Sequence, residues 1–470
     1  MCRTSRGECR CDTHCRIRSV SVAPTVRSFS AEFDPLGLVA RAPERYPGIL
    51  ESGAVAAAGS SIAGGYDILP IASGETLSAA APGARGPGDG FFASLDRWWR
   101  DLATARSDVP GPFSGGWLVF LGYELAQEVE PRLVLPPSPD PFVGIAIRTP
   151  AAWIRDRVAG RAWLIAEPGH EALLDRFAED AAAVSPASPD APGDAWTVEE
   201  EAPDRFVHAV RGALAHIAAG DVYQANLSRR WWGRARGGVD PVALFARLRR
   251  TNPSPFAALL RYQDFAVVSS SPERLIAIRD GLASTRPIAG TRPRGATPAD
   301  DAALVQALLS NDKERAEHVM LIDLERNDLG RICRGGSVRV DEFMTIETYA
   351  HVHHIVSNVT GTLREGVSPV DALRAVFPGG TITGCPKVRC MQIVAELEAE
   401  GRGAYTGSIG YLNRDGSADF NILIRTITTG PEGFALRAGA GIVADSDPGF
   451  ELAETRAKAK GLLRALPGQA

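Results

Sequence analysis

The stretch N-D-K-E-R-A-E-H-V-M-L-I-D-L-E-R-N-D-L-G-R, residues 311–331, decides how the rest of the chain is read. Its spacing predicts one amphipathic helix. Ala316, Val319, Met320, Ile322 and Leu324 form an apolar stripe, Asp312 stands where an N-cap belongs, and Gly330 closes the element. Glu314 and Glu317 are three residues apart and share a face. A second pair with the same spacing, Glu451 and Glu454, lies in another helical pattern, E-L-A-E-T-R-A-K-A-K at 451–460. If the two helices meet, four carboxylates converge. Mg²⁺ takes one or two protein carboxylates together with water and an anionic substrate, so such a place suits it. Spacing alone favours two solvated helix faces, and the surrounding segments decide between the readings.

Those segments are punctuated by glycine and too unusual in composition for ordinary core. They are S-P-E-R at 271–274, P-I-A-G-T-R-P-R-G at 287–295, H-V-H-H at 351–354, F-P-G-G-T-I-T-G-C-P-K at 377–387, A-Y-T-G-S-I-G-Y at 404–411, N-I-L-I-R-T at 421–426 and A-G-A-G-I-V-A-D-S at 438–446. In this order they resemble the chorismate-utilising enzymes, closely over residues 200–466 and loosely before that. The resemblance implies an α+β fold of the anthranilate-synthase type, with antiparallel β-sheets stacked face to face, flanked by helices, in two interlocked lobes. It also implies Mg²⁺ on Glu317 and Glu454, with Glu314 and Glu451 just behind.

The resemblance assigns further roles residue by residue. Glu273, in the turn after the buried strand F-A-V-V-S-S, matches the proton donor, because departure of the chorismate C4 hydroxyl needs a proton and a carboxyl in a closed pocket can hold one near neutrality. A structural pair between Glu273 and Arg274 is the rival reading. Gln224 stands where the isochorismate and salicylate synthases carry a lysine base that activates water. A neutral amide cannot take that proton, so Gln224 points to ammonia as nucleophile. His354 matches a histidine beside the reacting ring. Metal binding by His351, His353 and His354 is disfavoured, since alternate strand residues face opposite ways.

Gly290, Thr291, Gly439, Ala440 and Gly441 would let backbone N–H groups approach substrate carboxylates. Tyr405, Arg425 and Lys458 match the remaining substrate contacts, and Arg425 suits bidentate binding of a carboxylate. I-L-E-S at 49–52 and Y-D-I-L at 66–69 resemble the edge of a tryptophan pocket, with Ser52, Pro255 and Phe256 as the positions carried over. The patterns Y-Q-A-N-L, H-H-I-V-S, P-G-G-T-I-T-G and Y-T-G-S-I-G-Y are nearest to component I of aminodeoxychorismate synthase. Ala289, where many members of that branch have a nucleophilic lysine, is shared with anthranilate synthases. An inactive, regulatory member of the fold is a further reading, disfavoured by intact Glu317, Glu454, Glu273 and Arg425.

Outward from these motifs the sequence says less. With 470 residues, 45% hydrophobic and 23% charged, the chain has the composition of a globular protein with a large core. A net charge of −5 gives no electrostatic reason to expect nucleic acid or a membrane surface, and no run of 18 apolar residues spans a bilayer. Residues 1–20, with Cys2, Cys9, Cys11, Cys15 and His14, fit no zinc spacing and no signal peptide and read as a disordered tail. Residues 21–184 read as an N-terminal lobe, 185–197 as a Pro/Ser/Asp-rich linker and 198–466 as the catalytic region. Scattered cysteines and the lack of an export signal point to a reducing cytoplasm. The sequence has no nucleophile-elbow cysteine in a G-x-C-x-G setting, so ammonia is expected from a separate glutamine amidotransferase subunit.

Overall fold

The computed structural model describes residues 23–53, 65–81, 89–185, 196–234, 238–349 and 352–468. The expectations for residues 1–20, for most of the linker and for His351 lie outside the described residues.

Period-2 alternation of apolar side chains builds two large sheets, and the strand pairs within them are antiparallel. The first runs from Thr25–Phe29 through Arg161–Ala166, Ala151–Asp156, Tyr66–Ile71 and Gly48–Glu51, then Phe256–Tyr262, Phe265–Ser271, Thr426–Gly430, Gly433–Ile442 and Gln224–Arg234, to the short Gly384–Cys385. The second sheet likewise joins Gly116–Leu121 and Phe142–Thr149 from the early chain to Ser408–Asn413 and Ala418–Asn421 from the late chain. The Pro-rich boundary therefore divides the sequence without dividing either sheet.

The inner faces of the sheets pack on one another. Leu118, Phe120, Ile145 and Ile147 from the second sheet share a buried cluster with Ala258, Leu260, Phe265 and Val267 from the first. The rings of Phe120 and Phe265 have centroids 5.8 Å apart. Each of the larger side chains here, Leu, Ile, Phe or Val, contributes about 1.5–3 kcal/mol by leaving water. Helices cover the outer faces: Pro241–Thr251 and Pro448–Leu463 pack on the first sheet, and Phe91–Leu102 and Pro369–Val376 on the second. The result is an α+β architecture in which both ends of the chain build both layers.

The helix expected over 311–331 spans Asp312–Gly330. Its N-cap is Asn311, not Asp312: Asn311 is extended (φ −78°, ψ 105°) and its side chain accepts from the Glu314 N–H at 3.1 Å. The expected apolar stripe is also corrected. Ala316 and Val319 face solvent, while His318, Leu321, Ile322, Leu324, Glu325, Asp328 and Leu329 are buried. Polar residues on this face are tolerated because they find partners, His318 Nε2 with Ser357 Oγ at 2.7 Å and Asp328 with Lys387. Among the described residues no helix is long and apolar enough to cross a membrane.

Candidate active site

The Gln224–Arg234 strand opens the site. Its register with Gly433–Ile442 sets Asn226 opposite Gly441 and Ser228 opposite Gly439. Gln224, Asn226, Gly439 and Gly441 share one face, because alternate residues point the same way. Ala440 points to the other side, into a cluster with Phe206 and Val210, and so offers only backbone to the site. A Cβ at Gly439 would stand 2.6 Å from the Tyr405 hydroxyl, and one at Gly441 would stand 2.3 Å from Gln224 Nε2. Only glycine leaves this floor open.

Gln224 Nε2 donates to Glu317 Oε1 at 2.9 Å, joining the strand to the long helix. Glu454 is held by Lys458, one turn on, at 2.7 Å, and Lys458 Nζ also donates to the Gly439 carbonyl at 3.0 Å. The convergence of four carboxylates does not occur: among the described residues no three His, Cys, Asp or Glu side chains lie together as a metal-holding group. Glu314 turns instead to Arg292, 2.7 Å away, and leaves its Oε2 buried without a hydrogen-bond partner among the described residues. Glu451 is buried in its helix. Glu317, joined to this floor through Gln224, and Glu454, joined to it through Lys458, fit a Mg²⁺ site that completes its shell from water and substrate, and do not fit a cage made wholly of protein.

Glu273 is 6% exposed, and burial pushes its carboxyl up to about 7. Thr381 Oγ1 donates to its Oε1 at 2.5 Å. The rival pairing with Arg274 is not realised, since Arg274 makes a bidentate pair with Asp419 at 2.9 and 2.8 Å. His354 is held through Nδ1 by Thr291 Oγ1 at 2.9 Å, and burial, with the Arg425 cation nearby, drives it down to about 4, so it is neutral at neutral pH. His353 faces the other way and meets Asp301 at 2.8 Å, as strand alternation requires. Gly290 sits at a register shift with φ +67°, and a Cβ there would meet Glu314 Oε2 at 2.7 Å.

Arg425 is half-buried in the left-handed region (φ +52°), and burial lowers its affinity for its proton. Among the described residues its guanidinium makes no salt bridge, and the Tyr405 hydroxyl is the one titratable group that acts on it. Tyr405 is buried beside it, its hydroxyl pushed up to about 12 by burial. The charges of Lys458 and Arg425 are felt at this group of side chains, Lys458 by Glu273 and Arg425 by both His354 and Tyr405. The sequence reading missed Thr381, Asn226 and Glu325. Asn226 Nδ2 donates to the Thr381 carbonyl at 3.3 Å, and Glu325 is a buried carboxyl under the Gly380 turn, 3.4 Å from where a Gly380 Cβ would be. Thr381 and Asn226 lie within quoted motifs; nothing in the sequence distinguishes Glu325.

Ser52, Pro255 and Phe256 come together on the wall of a separate cavity of about 650 Å³ between the sheets. Arg274, which follows Glu273 in the chain, lines the same cavity, with its guanidinium 5.0 Å from the centre of the Phe256 ring.

Comparison with known proteins identifies the family. Residues 83–464 match the family model described as chorismate binding enzyme. The chain is 44% identical over 383 residues to aminodeoxychorismate synthase component 1 of Bacillus subtilis, covering 78% of this chain and 80% of that one. It is also 44% identical over 361 residues to an anthranilate synthase component I-like protein of Synechocystis, covering 76% and 74%. Among solved structures, anthranilate synthase component I of Streptococcus pneumoniae superposes with a TM-score of 0.75 at 31% identity, over 86% of this chain and 93% of that one. The menaquinone-specific isochorismate synthase of Escherichia coli shares the fold with a TM-score of 0.70 at 21% identity, over 94% and 95%. With its fold and most of its length accounted for in this way, the chain belongs to the chorismate-binding enzymes.

Proposed function

We propose that this chain is the component I of an aminodeoxychorismate synthase, aminating chorismate so that the amino group ends at C4 and the enolpyruvyl group is retained. The observation that carries the amination is Gln224: its Nε2 is committed to Glu317, so the position that would hold a base for water holds a neutral donor. Ammonia needs no such base. Glu273, protonated near neutrality, gives its proton to the departing C4 hydroxyl, which leaves as water. The nitrogen lone pair forms the C–N bond, and the resulting ammonium group returns one proton to the Glu273 carboxylate. Chorismate plus ammonia becomes aminodeoxychorismate plus water. Arg425 and Lys458 face the substrate carboxylates, and neutral His354 packs by the ring without adding charge. Glu317 and Glu454 would hold Mg²⁺, which when bound neutralises a substrate carboxylate among acidic side chains.

The name "component 1" on the relatives suits a reading in which a separate glutamine amidotransferase supplies the ammonia. A second reading, anthranilate formation by amination at C2 with loss of pyruvate, is favoured by Ala289. Its buried methyl group on the Ile288–Pro293 strand offers no nucleophile for a covalent intermediate. Chromatography of the reaction of the purified chain with chorismate, Mg²⁺ and ammonium chloride, without added lyase, tests both. 4-Amino-4-deoxychorismate supports the first reading. Anthranilate with pyruvate replaces it with the second, and glutamine-dependent turnover by this chain alone refutes the separate amidotransferase.

A further inference from the structure

Arg402 lies behind the wall that carries Tyr405. It is 3% exposed, and each N–H group of its guanidinium is spent on a different acceptor atom. Nη2 donates to the Asn226 carbonyl, on the Gln224–Arg234 strand, at 2.6 Å and to Glu398 Oε1 at 2.7 Å, while Nε donates to Glu398 Oε2 at 3.0 Å. Nη1 donates to Thr406 Oγ1 at 3.3 Å and to the carbonyl of Ile382, the residue after Thr381, at 3.4 Å. The guanidinium carbon also stands 5.0 Å from the centre of the Tyr123 ring and 5.6 Å from that of Tyr405. One cation thus joins the strand, the Gly380 turn, the Tyr405–Thr406 corner and the Lys387–Glu398 helix.

Tyr405 needs such a brace. The next residue, Thr406, is β-branched yet lies in the left-handed region at φ +62°, a conformation that its surroundings must impose. On one side Tyr405 and Arg402 line a cleft of about 810 Å³ that runs past Arg230 and Thr428, so close packing does not clamp the ring from there. On the other the Tyr405 hydroxyl reaches the glycine floor, 2.6 Å from where a Gly439 Cβ would stand.

We propose that Arg402 is a positioning residue of the active site, holding the Tyr405 ring so that its hydroxyl meets the substrate over the glycine floor. This rests on the reading of Tyr405 as a contact of chorismate and adds what fixes that contact. Arg402 has no N–H left for a ligand, so its effect on substrate passes through Tyr405. Its removal does not strand the buried Glu398 carboxylate, because Arg437 Nη2 stands 3.3 Å from Glu398 Oε2.

The test is steady-state kinetics of the full chain with chorismate varied at saturating ammonium chloride and Mg²⁺, in a double-mutant cycle. Arg402→Met, which keeps an unbranched stem in the same space, should raise the chorismate KM about tenfold with unchanged far-UV circular dichroism. A merely structural role would lower the active fraction, and so kcat, and leave KM where it was. In a Tyr405→Ala background the same substitution should raise KM by no more than about twofold, since the residue it acts through is gone. If Arg402→Met does not fold, Arg402→Lys, which keeps the buried charge but lacks the fork, is read by the same cycle. A fall in kcat with KM unchanged overturns the assignment, and so does an equal rise in KM in both backgrounds. Wild-type protein is assayed first: if it does not consume chorismate, the functional reading falls and the assignment with it, whereas normal wild-type turnover with an unmoved KM in the variant removes the assignment alone.

Discussion

Substituting Gly441 by alanine should separate the chemistry from the fold. The added methyl would stand 2.3 Å from Gln224 Nε2, closer than any real contact allows, and 3.7 Å from Glu317 Oε1. The obstructing atom is the far end of a flexible side chain, so Gln224 swings aside and the strand stays where it is. What is lost is the Gln224–Glu317 hydrogen bond of 2.9 Å. A bond to a charged group is worth about 1.5–3 kcal/mol, which corresponds to a fall of about 10- to 150-fold in kcat/KM. Ammonium-dependent consumption of chorismate measures this directly, and a Mg²⁺ titration should show weaker activation, since Glu317 is no longer steered. Urea unfolding should shift by no more than about 1 kcal/mol. Gly439→Ala is the contrast: its methyl would lie 2.5 Å from the Leu227 carbonyl, main chain of the neighbouring strand that cannot rotate away, so stability itself should fall. Activity of Gly441→Ala within twofold of wild type would refute the role assigned to Gln224.

Chelation with EDTA should abolish turnover and Mg²⁺ should restore it, while Glu317→Ala and Glu454→Ala should be inactive with unchanged far-UV circular dichroism; turnover that persists after complete chelation would remove the metal from the mechanism. A second expectation concerns stability and pH. Glu124 is 2% exposed and accepts from the Arg402 and Gly403 N–H groups at 2.7 and 3.1 Å, and burial pushes its carboxyl up to about 7. Its folded value lies above its unfolded one, so its contribution is complete below about pH 4.5 and is lost as pH rises through about 7, amounting to about 3 kcal/mol. The loss of stability between pH 4.5 and 8, read by urea denaturation, should be smaller by that order in Glu124→Gln; equal losses in the two proteins would contradict it.

The site was legible in the sequence where a residue type is demanded by chemistry, and illegible where only the fold supplies the meaning. Glu273, Arg425 and the Gly439–Gly441 floor stand out through the motifs around them, and for Glu273 the structure then removes the rival pairing by giving Arg274 to Asp419. Thr381 carries no periodicity and shows its role only when the Gly380 turn is brought against the Ser271–Arg274 turn. The long helix was readable from its length and its closing glycine, but its buried face was not. Hydropathy picks Ala316 and Val319, whereas packing places His318 and Asp328 inside, next to Ser357 and Lys387. Asn311 and Asp312 are both good caps, and the extended ψ of Asn311 alone decides between them. The four-carboxylate convergence failed because cations claim two of the four: Lys458, one helical turn on, pairs with Glu454 as spacing allows, whereas Arg292 reaches Glu314 from a strand that no spacing argument brings near.

The shuffling of early and late strands within both sheets has a consequence for how this protein can be made or broken. In the first sheet Gly48–Glu51 from the early chain is bonded directly to Phe256–Tyr262 from the late chain, and in the second Gly116–Leu121 is bonded to Ser408–Asn413. Neither half can complete a sheet by itself, so each piece made alone would present long unpaired edges and half a core, the ingredients of aggregation. Produced together as two polypeptides cut between residues 185 and 196, the pieces should find one another and restore one active molecule. The partner each one needs is already specified by its own open edges.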